Sequence, residues 1–197
     1  RLPFPSPRPD PRRPPPPTVR PRPVPGPTRF GACIAPYHDP AGNPTLQIHR
    51  DLELVELLDD LGYDEAWFGE HHSGAYETIA APELMIAAAA ERTSRIRLGT
   101  GVSSLSYHHP YILADRIMLL DHLTRGRAML GMGPGQLPAD AFMMGIDPRR
   151  QRDMMVEAAE VIVPLLRGEV VTRKTDWFEV DEARLQATQT GRAHGRA

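Results

Sequence analysis

The chain has 197 residues, 41% of them apolar and 24% charged, enough to bury a good core in one or two domains. Its net charge of −2 hides an asymmetry: residues 1–29 carry seven Arg against one Asp, a net +6, which leaves −8 on residues 30–197 and argues against a nucleic-acid partner. A single cysteine, Cys33, excludes an intramolecular disulfide framework and fits a reducing cytoplasm, and no apolar run or N-terminal h-region marks a membrane span or secretory signal.

Residues 1–29 hold 13 of the 22 prolines, four of them consecutive at Pro14–Pro17. Proline fixes φ and removes a donor, so a disordered, extended tail is expected there. Three readings stay open for it: an unstructured tail, a polyproline ligand for an aromatic groove, or a segment that is not natural. The last follows from an Arg at position 1 and a composition typical of GC-rich DNA read outside its proper start.

From Phe30 the texture changes. Phe30–Pro36 reads as a short apolar strand. Asn43 and Pro44 then give a helix start, Ile48, Leu52, Val55 and Leu58 its apolar period, and Gly62 its stop. Glu65–His72 reads as a second strand, an apolar Ala66–Trp67–Phe68 run that stops on a carboxylate and two imidazoles. Pro82 opens a second helix, Ile96–Val102 is a third strand, and Pro110 opens a third helix with Ile112, Ile117, Leu120 and Leu123. Gly126–Gly135 is a fourth strand running into a glycine-rich turn, and Asp147–Pro148 signals a long helix that ends at Gly168. Val170–Thr172 and Trp177–Val180 around a Lys174–Asp176 turn predict a β-hairpin; beyond Leu185 no apolar period remains.

Strands begin near residues 30, 65, 96 and 126, each pair joined by an amphipathic helix. That is an α/β repeat with a parallel sheet. A doubly wound sheet and a (β/α)8 TIM barrel both fit; polar clusters recurring after each strand favour the barrel, here as about four βα units, a partial barrel. The expected division is a disordered tail over 1–29, a partial barrel domain over 30–185 and an unstructured tail over 186–197.

Functional groups on such sheets gather at strand C-termini, which selects Glu70, His71 and His72 as candidate site residues. His108 and His109 follow the third strand and are placed to line the same mouth. Gly131, Gly133 and Gly135 are a possible nest of backbone N–H groups for an anion. Arg149, Arg150 and Arg152 read as a solvated helix face with local salt bridges, and His122 as a structural contact.

Gly69–Glu70–His71–His72, Leu98–Gly99–Thr100–Gly101–Val102, His109–Pro110, Leu120–Asp121–His122–Leu123–Thr124–Arg125–Gly126–Arg127 and Gly131–Met132–Gly133 together resemble the bacterial luciferase-like flavin-dependent monooxygenases, nearest the branch that includes limonene 1,2-monooxygenases. The resemblance runs from Arg29 to about Leu185. It implies a barrel that binds reduced flavin, FMN rather than FAD, in the mouth at the strand C-termini. One oxygen of O2 would be inserted into a small hydrophobic organic substrate through a peroxyflavin. NAD(P)H would serve indirectly as reductant, through a flavin reductase as partner, and the full-length family would be homo-oligomeric. It implies His71 as catalytic imidazole with Glu70 supporting it, and Gly99, Gly101, Val102, His72, Gly131 and Gly133 against the cofactor, with a cis peptide at Gly101–Val102. It implies no metal. The position of the family's phosphate-binding Arg after the fourth strand holds Pro134, so that role is not carried over.

The family continues past the Leu185 position with further barrel strands, so a truncated or frame-shifted product is one expectation for this chain. Two other functions remain open: a metal-dependent TIM-barrel hydrolase with Glu70, His71, His108 and His109 as ligands, and a non-catalytic half-barrel carrying a polyproline ligand.

Overall fold

The computed structural model describes residues 28–34 and 37–189. What the sequence predicts for residues 1–27 and 190–197 lies outside the described residues. Four parallel strands in the order β1 (Gly31–Ile34), β2 (Glu65–Phe68), β3 (Arg97–Ser104) and β4 (Ala128–Gly133) form one sheet. Helices α1 (Pro44–Asp60), α2 (Pro82–Ala90) and α3 (Pro110–Leu123) make the crossovers. After β4 come a short α4 (Pro138–Met143), the long α5 (Gln151–Leu166), and an antiparallel hairpin of β5 (Val171–Lys174) and β6 (Glu179–Ala183). The expected α/β architecture of four βα units and a hairpin is the one observed.

Helix starts follow the chain's own punctuation. Asn43 caps α1, its Oδ1 accepting from the Thr45 N–H at 2.9 Å, and proline occupies the first turn of α1, α2 and α3. The Asp147–Pro148 signal is different. Asp147 Oδ1 accepts from the Arg149 N–H at 3.0 Å, which makes a turn, and α5 begins only at Gln151. Short α4, in a stretch read as loop, carries no periodic apolar pattern long enough to announce it.

The core lies between the sheet and the helices. Ala66, Phe68 and Leu98 point into it fully buried, against Val55, Ile86, Leu113 and Ile162. Burial on both strand faces, expected for a parallel sheet, holds on the helix side only. On the concave side Cys33 is exposed and Trp67 half-buried, because no strand among the described residues faces them. Leu54, Leu61, Leu84, Ile112 and Leu123 are likewise exposed on the outer helix faces.

The N-terminal edge of the sheet is tied by two charged groups. Asp59, at the end of α1, accepts from the N–H groups of Ser94 (2.7 Å), Arg95 (3.1 Å) and Ile96 (2.7 Å), the residues that lead into β3. Arg127, leading into β4, donates all five guanidinium N–H groups to Thr124 O, Thr93 Oγ1, Ile96 O, Ala90 O and Thr93 O. Burial pushes the Asp59 carboxyl up, but the three amides pull harder and hold it below its ordinary value. A depressed carboxyl stabilises the fold above its unfolded pKa and loses that contribution as pH falls through the folded one. Asp59→Ala leaves those amides unpaired and is expected to cost about 3 kcal/mol in urea unfolding at pH 7, with a smaller difference from wild type in acid.

Candidate active site

The buried carboxylate of Glu70 organises the C-terminal edge of the sheet. Its side chain is 0% exposed. Oε2 accepts from the Ser104 N–H at 2.6 Å, at the end of β3, while Oε1 lies 3.0 Å from His72 Nε2 and 2.8 Å from His108 Nε2. Arg116 Nη2 donates to His108 Nδ1 at 3.2 Å, which leaves the His108 proton on Nε2 facing Glu70, and the same Arg pairs with Glu83. Burial raises the Glu70 carboxyl, but bonds from His108, the Ser104 amide and His72 outweigh it and hold the group below the ordinary carboxylate range.

Beside Glu70 opens a cavity of about 730 Å³. Its floor is the end of β3 and β4, with Gly101, Val102, Met132 and Gly133; its sides are His71 and, beyond β4, Gln136, Asp140, Gln151 and Arg152. The Gly101–Val102 peptide is cis, within a bulge where Thr100 pairs Leu130 but Ser103 pairs Met132. Asp140 is 1% exposed; its Oδ2 accepts from the His72 N–H at 3.4 Å and its Oδ1 has no partner among the described residues. The turn after β4 is fixed by the Pro134 carbonyl, which accepts from Ser106 Oγ (2.6 Å) and Gln151 Nε2 (3.2 Å).

The structure distributes the residues singled out by sequence over three places. Glu70, His71, Gly101, Val102 and Gly133 line the cavity. His72 lies behind it, its ring held by Glu70 and set edge-on to Tyr107 at 5.7 Å. Gly99 and Gly131 do not line the cavity: a Cβ on Gly99 would stand 2.4 Å from the Trp67 ring and one on Gly131 2.2 Å from Thr100 O, so both make room for neighbours within the sheet. The Gly131 N–H already donates to Thr100 Oγ1 at 3.0 Å, which removes it from the expected anion nest.

Two pairings differ from expectation. Glu70 supports His72 and His108 rather than His71, whose ring turns to another partner. His71 Nε2 meets Glu77 Oε2 instead. The four ligands of the hydrolase reading are not brought together. His109 precedes α3 with its ring against Phe178, and among the described residues no group of three His, Cys, Asp or Glu is placed to hold a metal ion. His122 does make a structural contact, with Thr188 O at 2.9 Å. Arg149 and Arg150 pair with Asp147 and Asp176, whereas Arg152 faces the cavity. Glu77, Ser104, Asp140, Gln151 and Arg152 were not singled out for the site from the sequence, and no local pattern announces them.

A family model described as luciferase-like monooxygenase matches residues 28–193. The chain is 58% identical over 160 residues to limonene 1,2-monooxygenase of Rhodococcus erythropolis, over 81% of this chain and 41% of that protein. It is 56% identical over 158 residues to 4-hydroxyprotoasukamycin monooxygenase of Streptomyces nodosus subsp. asukaensis, over 80% and 43% of the two. Among solved structures, monooxygenase RslO1 of Streptomyces bottropensis superposes with a TM-score of 0.79 at 29% identity, over 86% of this chain and 52% of that one. The oxygenating constituent of 3,6-diketocamphane monooxygenase of Pseudomonas putida, a type II Baeyer-Villiger monooxygenase in complex with FMN, superposes with 0.73 at 28%, over 77% and 42%. The chain spans about two-fifths of the length of these two curated relatives.

Glu70→Gln puts an amide where one carboxylate accepts three donors. The expected cost is about 2 kcal/mol at pH 7. Because the Glu70 carboxyl is held low, this difference should shrink as pH falls through its folded pKa, a trend that urea titrations at several pH values can read.

Proposed function

Since the chain belongs to the luciferase-like monooxygenase family, we propose that it forms the flavin-binding half of a monooxygenase site that places one oxygen atom of O2 on a small apolar organic molecule. The observation that carries this reading is the cavity at the strand C-termini, walled by glycine backbone on one side and by His71 on another. Its volume of about 730 Å³ falls in the range of sites that enclose a drug-sized ligand.

The residues present fit a flavin. Gly133 lets the end of β4 lie against Val102, whose Cγ2 would be 2.5 Å from a Cβ there, so the floor stays flat enough for a ring system. Asp140 Oδ1 and His71 Nδ1, both without partners among the described residues, belong to residues of the wall and suit a ligand with polar edges. Arg152, which has no ion pair among the described residues where its neighbours Arg149 and Arg150 have theirs, is suited to the FMN phosphate. The FMN complex of a related monooxygenase supports FMN over other flavins.

Reduced flavin, when bound, supplies the electrons that activate O2. The chain's own residues do the rest: Gly101, Val102 and Gly133 give a surface without bulky side chains, Val102 and Met132 an apolar wall for the organic substrate, and His71 an imidazole that can carry a proton. Glu70 holds the floor and the adjoining loop in register without itself meeting His71. The same reading takes the flavin as reduced by a partner reductase at the expense of NAD(P)H, in the cytoplasm, with a homo-oligomeric full-length protein.

Fluorescence titration with FMN tests the site. Binding by the wild-type chain is expected, weakened roughly 10-fold or more in Arg152→Ala, the worth of a charged hydrogen bond; no binding by the wild type would overturn the reading. In a full-length relative, the substitution matching His71→Ala should lower product formation by ~10²–10⁴, measured with saturating reduced flavin and O2.

A further inference from the structure

One oxygen of Glu70 holds two imidazoles, and the surroundings of the two rings are unlike. His108 Nε2 stands 2.8 Å from Glu70 Oε1, and Arg116 Nη2 meets the other ring nitrogen, Nδ1, at 3.2 Å. A carboxylate only accepts and a guanidinium only donates, so both His108 nitrogens are committed: Nε2 carries the hydrogen and Nδ1 offers its lone pair. Arg116 is held in turn by Glu83 at 3.2 Å, a buried carboxylate in the first turn of α2. His72 Nε2 lies 3.0 Å from the same Glu70 oxygen and donates to it as well. Its Nδ1, however, has no hydrogen-bond partner among the described residues, and the side chain is 22% exposed, open to solvent.

The charges around the rings differ in the same sense. His72 lies between two carboxylates, Glu70 at its ring and Asp140, whose Oδ2 accepts its backbone N–H at 3.4 Å. His108 lies between Glu70 and the Arg116 guanidinium. The remaining polar groups on the cluster are the Tyr107 ring, edge-on to His72 with its hydroxyl held by Gln151, and Glu83 beyond Arg116. A proton on His108 would break the Arg116 bond and set two cations side by side. A proton on His72 enters at an uncommitted nitrogen with an anion on either side. We propose that Arg116 is a positioning residue that divides the two imidazoles: it holds His108 as a neutral donor to Glu70 and leaves His72 as the ring at which the buried cluster gains and loses a proton. The proposal deepens the reading of the cavity as a flavin site and rests on it for its functional meaning. A proton on His72 then offsets the Glu70 charge behind the wall that faces an anionic cofactor.

The test is ¹⁵N NMR of the ligand-free chain, each ring assigned through correlations to its own backbone, from alkaline buffer down to about pH 5.5, below the ordinary histidine range. In the wild type His72 should pass from one pyrrole-type and one pyridine-type nitrogen to the two pyrrole-type nitrogens of an imidazolium. His108 should keep a pyrrole-type Nε2 and a pyridine-type Nδ1 throughout. Arg116→Met removes the donor but keeps much of the stem, and should let His108 become an imidazolium as well, a change that loosened packing alone would not produce. A wild type in which His108 charges first, both rings charge together or neither charges overturns the proposal, as does a His108 that stays neutral in Arg116→Met. The wild-type spectra decide the first three outcomes even when the variant fails to fold. Titrating FMN into the same wild-type sample keeps the two readings apart: the expected histidine pattern without FMN binding would overturn the flavin site and leave the Arg116 assignment standing.

Discussion

One buried carboxylate sets the arrangement of the whole mouth. Glu70 leaves β2 at the point where the chain passes from sheet to loop, and burial alone would drive it to the neutral form. Three donors from three segments keep it charged: the amide that ends β3, the ring of His108 before α3, and the ring of His72 two residues on. A charge so placed is stable only while all three stay where they are. It therefore fixes the relative positions of the β2 and β3 ends and the α3 entry, which are the elements that shape the cavity.

The two edges of the sheet solve opposite problems with the same chemistry. At the N-terminal edge Asp59 accepts from three backbone amides and the Ser94 hydroxyl, and Arg127 gives its five N–H groups to four carbonyls and the Thr93 hydroxyl. At the C-terminal edge polar atoms are left over: Asp140 Oδ1, His71 Nδ1 and Ser103 Oγ have no partner among the described residues. Unpaired buried polar atoms cost stability. Their concentration at the strand ends, where β/α folds bind ligands, is the physical reason for seating the chemistry there.

The glycines divide along the same line. Gly99 and Gly131 serve the sheet, letting the Trp67 ring and the Thr100 carbonyl come close, whereas Gly101 and Gly133 lie at the floor of the cavity. The family resemblance implied one role for these four residues. They have two, because residues on one strand meet different neighbours at different depths of the concave face.

Local chemistry was enough to locate every βα unit. Asn43–Pro44, Pro82 and Pro110 start helices because proline and a capping side chain act on the backbone next to them, and the 3.6-residue apolar period needs only the face it covers. The Glu70–His71–His72 run could be read as a site for the same reason: ionisable groups directly after a buried strand are conspicuous in one dimension. Which carboxylate serves which imidazole was not readable. Adjacency in sequence suggested Glu70 for His71, but beyond β2 the loop closes through Ile79 and Tyr76 and brings Glu77 from six residues away. Arg152 and Asp140 are a further case: one on a helix face that looked solvated, the other in a stretch that looked like loop. The sequence determined the four βα units, their order and the edge at which the ionisable groups gather, since these depend on local propensity and period. Only the tertiary structure decided the partners, because a hydrogen bond depends on distance and direction in space, and chain order carries neither.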